Sequence, residues 1–207
     1  MLNKNLKCKP EIEDAFATLI KLEEQIQNNK NHNIKEFEKQ KAKCNKALCC
    51  EFPFLQIKNA WTGEAADYSY TELDNMEPGW KKAFGLDMCI ELKEALEKDV
   101  LINDFFFLEI KEKYGGLRLY ANEYKENTKI ILAKYEELSY YICGRCGKPA
   151  TKISQGWIYP FCDECSNLVH DNFKKIEDCY RMLEPTVEKM IDRIVYNFRY
   201  DDFWDQI

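Results

Sequence analysis

Cys143-Gly144-Arg145-Cys146-Gly147-Lys148-Pro149 and Cys162-Asp163-Glu164-Cys165 decide the reading of this chain, and fifteen residues separate Cys146 from Cys162. Two residues between paired cysteines let a tight knuckle aim both sulfurs at one ion, and two knuckles complete a tetrahedron with metal–sulfur bonds of about 2.3 Å. Gly144 and Gly147 supply the permissive backbone such turns need. Between the knuckles, residues 150–154 and 157–160 are expected to form a short hairpin about Gln155-Gly156, and a helix is expected from Ser166 onward. Knuckle, hairpin, knuckle, helix is the treble-clef order, so the expectation is a zinc finger holding Zn2+ with Cys143, Cys146, Cys162 and Cys165. Four thiolates leave no open coordination position, which makes the ion structural rather than catalytic. A redox role fits poorly, because neither CxxC sits in a thioredoxin-like strand-to-helix setting. With four sulfurs available, His32 and His170 are not needed as ligands. Four thiolates on one Zn2+ leave a net charge near −2 by simple counting, which Arg145, Lys148 and Lys152 are placed to offset. Their alternative use is to grip phosphate.

Outward from the finger, the fold class expected is α+β. Residues 1–50 read as a helical hairpin: Pro10 suits a first turn, Ile12, Phe16, Leu19 and Ile26 recur at helical spacing over 10–28, and a second helix is expected over about 34–50. Residues 51–142 read as a mixed core. Residues 51–59 should be extended next to Pro53, and an aromatic loop follows over 61–77. A helix is expected over 79–99, a strand over about 100–111, a longish turn at Tyr114-Gly115-Gly116, and a second strand over 117–121. The hairpin is thus placed at 105–121, with a helix over about 126–141. Residues 143–207 read as the finger plus two C-terminal helices separated near Pro185.

Composition bounds the function. The 207 residues carry a net charge of −6, unlike a general nucleic-acid binder. Residues 61–142 hold 10 Lys and Arg against 17 Asp and Glu, an acidic block that repels a phosphate backbone. Residues 1–7 have basic side chains without an apolar stretch behind them, so no signal peptide is expected. No apolar run exceeds about four residues, as at 105–108, against the roughly 20 that a membrane span needs. Ten cysteines in a chain without an export signal point to a reducing, cytoplasmic setting.

Several segments together carry a resemblance. They are Trp61-Thr-Gly-Glu, Tyr68-Ser-Tyr-Thr-Glu-Leu-Asp, Gly79-Trp-Lys-Lys-Ala-Phe-Gly, Ile110-Lys-Glu-Lys-Tyr-Gly-Gly-Leu-Arg-Leu-Tyr, the first knuckle with Pro149-Ala-Thr-Lys-Ile-Ser, and Gly156-Trp-Ile-Tyr-Pro-Phe-Cys-Asp-Glu-Cys. In this order the chain resembles a group of uncharacterised proteins from bacteria and their phages. In that group a K-x-K-[FY]-G-G-L-R hairpin precedes a two-knuckle finger with Gly-Trp before the second knuckle. The resemblance covers about residues 51–166. It implies a phage or mobile-element setting and carries no activity.

The remaining candidates each have a plain structural alternative. Lys111, Lys113, Tyr114 and Arg118 around the double glycine form a candidate contact surface: backbone amides and basic side chains there suit an anion, while the alternative is an ordinary turn whose charges pair with Glu109, Glu112 and Glu123. Glu109 and Lys111, with Asp104 upstream, echo half of a metal-dependent nuclease site, although the spacing is poor. Cys44, Cys49 and Cys50, with Cys8, offer a second metal site or simply buried helix thiols. Trp61, Tyr68, Tyr70, Phe203 and Trp204 are candidate interface anchors or packing residues. The expectation is a protein partner, for example a host defence component that the chain inhibits, with nucleic-acid binding and nuclease activity as alternatives, and no membrane or small-molecule substrate.

Overall fold

The computed structural model describes residues 8–27, 33–59, 62–179 and 189. Helix α1 (Pro10–Gln27) begins with Pro10 in its first turn and acidic Glu11 and Glu13 beside its positive end. Helix α2 (Ile34–Glu51) is capped by Asn33, whose side-chain oxygen accepts the Glu36 amide at 3.1 Å. Ile12, Phe16 and Leu19 of α1 and Cys44, Leu48 and Cys49 of α2 are buried in one cluster with Phe52, Leu73, Trp80, Phe84 and Leu92. The helical hairpin therefore docks on the middle of the chain. A buried ion network fastens it. Lys81, with its side chain only 5% exposed, reaches Glu23 of α1 at 2.7 Å and Asp74 at 3.3 Å, and Asp74 also holds Lys41 of α2 at 2.9 Å.

After α2 the chain makes a 3-10 turn at Pro53–Leu55, not the extended segment expected there. Residues 78–99 are helical as expected, but not uniformly: α3 (Pro78–Trp80) leads into a π-helical stretch at Lys81–Gly85 and then α4 (Leu86–Asp99). The strand expected from residue 100 starts seven residues later. Val100 adopts a left-handed conformation (φ 57°) as the α4 C-cap, and the Leu101 amide closes back on the Leu96 carbonyl at 2.8 Å.

Strands β1 (Phe107–Lys113) and β2 (Gly116–Ala121) form an antiparallel ribbon. Their turn is tighter than expected. Only Tyr114 and Gly115 lie between the strands, both at positive φ (54° and 78°), the signature of a type I′ hairpin. One face of the ribbon buries Phe107, Ile110, Leu117, Leu119 and Ala121 in the core. The other pairs Glu109 with Tyr120 and Lys111 with Arg118. Helix α5 (Glu126–Ser139) packs on β2 and α4. Along the outer edge of β2, the amides of Leu117, Leu119 and Ala121 donate to Ser139 Oγ, Glu136 Oε1 and Tyr124 Oη, each at 2.7 Å. Asp99 serves as a remote cap for α5, accepting the Thr128 amide at 2.7 Å and hydroxyl at 2.6 Å.

The finger contains a three-stranded antiparallel sheet in the order β4-β3-β5, built from β3 (Lys152–Ser154), β4 (Pro160–Phe161) and β5 (Phe173–Lys175). The helix expected from Ser166 onward is instead a single turn that ends there, α6 (Asp163–Ser166), because the chain turns away to pair β5 with β3. The second knuckle does open a helical turn, as expected, but only one turn long within the described residues. The two helices expected about Pro185 fall outside the described residues, apart from Lys189. Among the described residues, no helix is long and apolar enough to cross a membrane.

Candidate metal centre and adjoining surface

The four sulfurs of Cys143, Cys146, Cys162 and Cys165 lie within 4.8 Å of one another. Cys146 Sγ and Cys162 Sγ are 3.6 Å apart. A tetrahedron with bonds of about 2.3 Å spaces its sulfurs by about 3.8 Å, whereas a disulfide needs about 2.05 Å. The arrangement is that of a metal site with four cysteine ligands. It is the only group of metal-capable side chains found among the described residues.

Backbone geometry builds the cage. The first knuckle closes through the Cys143 amide to the Lys148 carbonyl at 2.8 Å and the Gly147 amide to the Cys143 carbonyl at 2.9 Å. Gly147 sits at φ 84°, which explains the glycine there. Gly144 does not share that conformation; its missing side chain instead leaves room for the Tyr159 ring. The second knuckle opens α6, with the Cys165 amide 3.4 Å from Cys162 Sγ. The Cys143 thiol is lowered to about 5 by a hydrogen bond from Cys146 and by backbone amides including those of Cys162 and Arg145. Its partner Cys146, which donates that bond, is pushed up. A divalent cation held by the four sulfurs would draw off the thiol protons.

The first knuckle is seated on the core by Gly79. The Gly79 amide donates to the Gly144 carbonyl at 2.7 Å, and Trp80 Nε1 donates to the Ile142 carbonyl at 3.0 Å. A Cβ at Gly79 would lie 2.6 Å from both the carbonyl carbon and oxygen of Gly144 and would also strike the Cys143 carbonyl. The Gly79-Trp80 pair therefore belongs to the metal centre, although 62 residues separate Gly79 from Ile142. Two of the basic residues near the cage also have partners. Lys148 pairs with Glu164 at 2.9 Å and Lys152 with Asp163 at 3.1 Å, so charges of one knuckle region hold the other.

The remaining candidates separate. Lys111 pairs with Glu109 at 2.5 Å on the open face of the ribbon, and Asp104 is exposed in the preceding turn. The Gly115 amide is taken by Glu112 at 2.7 Å, which occupies the expected anion position with a carboxylate of the chain itself. Gly116 is required for packing, since a Cβ there would lie 2.5 Å from Tyr140 Cζ. Arg118 bonds Tyr140 through its guanidinium. Lys113 stands 5.6 Å over the Tyr114 ring. Tyr68 is half-buried, with its carbonyl held by Asn45 at 2.9 Å, so it anchors the loop to α2. Trp61, Phe203 and Trp204 lie outside the described residues. Cys44 and Cys49 are buried, Cys50 is exposed and Cys8 is intermediate. Burial, with the neighbouring Cys50, pushes the Cys49 thiol up to about 12, the behaviour of an inert core thiol.

Tyr114 is 69% exposed, and its hairpin tip touches the tip of the finger, where a Cβ on Gly115 would lie 3.1 Å from Ile158 Cγ2. Trp157 is 73% and Ile158 42% exposed at that second tip. Beside Trp157 lies a pocket of about 340 Å³ walled by Trp157, Tyr159, Phe161, Glu77, Arg145 and Asp171. Tyr159 Oη donates to Glu77 Oε2 at 2.7 Å, its ring is stacked toward Trp80 at 6.3 Å, and it meets Phe161 at 4.9 Å. The sequence reading missed this pocket, yet a signal was present: aromatic residues at 157, 159 and 161 share one side of an extended segment. Comparison with protein-family models, curated proteins and solved structures finds no match to this chain.

Proposed function

We propose that the chain is a zinc-stabilised protein-interaction module whose contact face is the pair of adjoining hairpin tips. Zinc is the ion that best suits four thiolates without an open position, and it contributes directly to folding because the cage joins the finger strands to the core. One observation carries the contact face: Tyr114, 69% exposed on the two-residue turn, adjoins the exposed tip of the finger. Its left-handed backbone (φ 54°) serves the type I′ turn, but Asn is the favoured residue there, and a phenol ring in its place puts an amphipathic contact group in water. Exposed Trp157 and Ile158 next to it complete an aromatic surface of the kind that dominates interface energetics.

The setting we favour is cytoplasmic and phage- or mobile-element-encoded, with a host protein, such as a defence component, as partner; the hairpin and finger motifs support that setting. Nucleic-acid binding is the weaker reading, because Lys111, Lys148 and Lys152 are engaged by carboxylates of the chain. The test compares wild type with Tyr114→Asn and Trp157→Ala in capture from bacterial lysate. Asn-Gly is the favoured type I′ pair, so Tyr114→Asn keeps the turn while removing the ring. Stoichiometric capture of one protein by wild type and loss by both variants is expected. Equal capture by all three refutes the contact face.

A further inference from the structure

The pocket beside Trp157 has a composition that selects its occupant. Its aromatic walls, Trp157, Tyr159 and Phe161, present π-faces and edges. Two carboxylates, Glu77 and Asp171, lie at its margin. Glu77 receives the Tyr159 hydroxyl on Oε2, and no hydrogen bond reaches its Oε1 from the described residues. Asp171 accepts the Asn172 amide at 2.6 Å and the Gly156 amide at 3.3 Å through Oδ1, while Oδ2 receives none from the described residues. Arg145 is the single cation in the lining and is exposed. Tyr159 packs against the cysteine cluster on its other side. With two carboxylates against one guanidinium, the lining is aromatic and carries a net negative charge.

On that basis, and resting on the interaction-module reading above, we infer that this pocket receives an arginine side chain projected by the protein partner. A guanidinium is planar and stacks on an aromatic ring while its edge donates to a carboxylate, which matches Trp157 or Tyr159 beside Glu77. An ammonium gains attraction from the same walls but lacks the planar stacking and the paired donors. The volume suits one side chain rather than a peptide segment. Trp157 stands both in the pocket and on the exposed tip, so a partner lying on the tips has such a side chain within reach.

The experiment uses the full-length, zinc-loaded protein and follows the Trp157 indole N–H by nuclear magnetic resonance, assigned with Trp157→Phe. The probes are Nα-acetyl-arginine methylamide, the corresponding lysine compound and the uncharged citrulline compound. A saturable shift with arginine, at least about fivefold weaker with lysine and absent with citrulline, is the expected result. Glu77→Gln and Asp171→Asn keep an acceptor and lose a charge, and each should weaken arginine binding about tenfold with the urea midpoint little changed. Citrulline binding as tightly as arginine, no saturable shift with arginine, or indifference to both substitutions would overturn the assignment. Probe binding without any captured partner would leave the pocket standing and refute the interaction module. Capture through the tips without probe binding would do the reverse.

Discussion

Replacing Gly79 by alanine tests whether the knuckle and the core are one mechanical unit. The new Cβ would lie 2.6 Å from the carbonyl carbon and oxygen of Gly144, against the backbone that carries Cys143. Overpacking costs about 1–3 kcal/mol, and rigid backbone places this site at the upper end. The Gly79–Gly144 hydrogen bond of 2.7 Å would be stretched as well, at about 1 kcal/mol. A loss of about 3 kcal/mol is therefore expected in urea unfolding of the zinc-loaded protein. If docking and metal binding are coupled, part of that loss appears as zinc affinity, up to about a hundredfold, since each 1.4 kcal/mol is about tenfold. Chelator competition reads that ratio. Gly156→Ala is the control: its Cβ would first meet the Asp171 carboxylate, at 3.1 Å, the end of a side chain able to move. A Gly79→Ala protein with the stability and zinc affinity of wild type would show that the finger sits on the core without being held by it.

Further outcomes follow from single features. Cys162→Ser should reduce bound zinc from one equivalent to nearly none, measured by metal analysis of reduced protein. Val100→Gly should stabilise the fold by about 1 kcal/mol in urea, because it relieves a left-handed β-branched residue that is 80% exposed. Lys81→Met should cost about 3 kcal/mol, the low end for a broken buried pair, since it leaves the half-buried Glu23 without a cation while Asp74 keeps Lys41. Asp99 supplies a pH dependence. Burial raises its carboxyl, but the bonds from Thr128 and Asn127 outweigh that and hold it at about 2. Being lowered, it contributes stability above the ordinary carboxylate range, near pH 4, and loses it as pH falls toward 2. The stability gap between wild type and Asp99→Asn should therefore be widest at neutral pH and narrow on acidification.

Where local chemistry decides structure, the sequence was readable. Pro10 and the Ile12–Phe16–Leu19 spacing mark α1, and the Gly-flanked CxxC pairs mark the cage. Misreadings arose where distant contacts prevail. Val100 looks like the start of a β-strand, yet closing α4 puts it in a cap. The residues after Ser166 look helical, yet pairing with β3 takes them into β5. Nothing beside Lys81 in the sequence shows that Glu23 and Asp74, from two other segments, enclose it. The acid–aromatic pocket needs Glu77 and Tyr159 together, 82 positions apart, and no local pattern announces that meeting.

The side chains lying along β2 have one further effect. A hydroxyl, a carboxylate and a phenol take the amides that another strand would seek. Neither a second copy of the ribbon nor an extended foreign peptide can lengthen the sheet on that flank without first dislodging α5. The molecule is thus guarded on that flank against strand addition and fibril-like stacking.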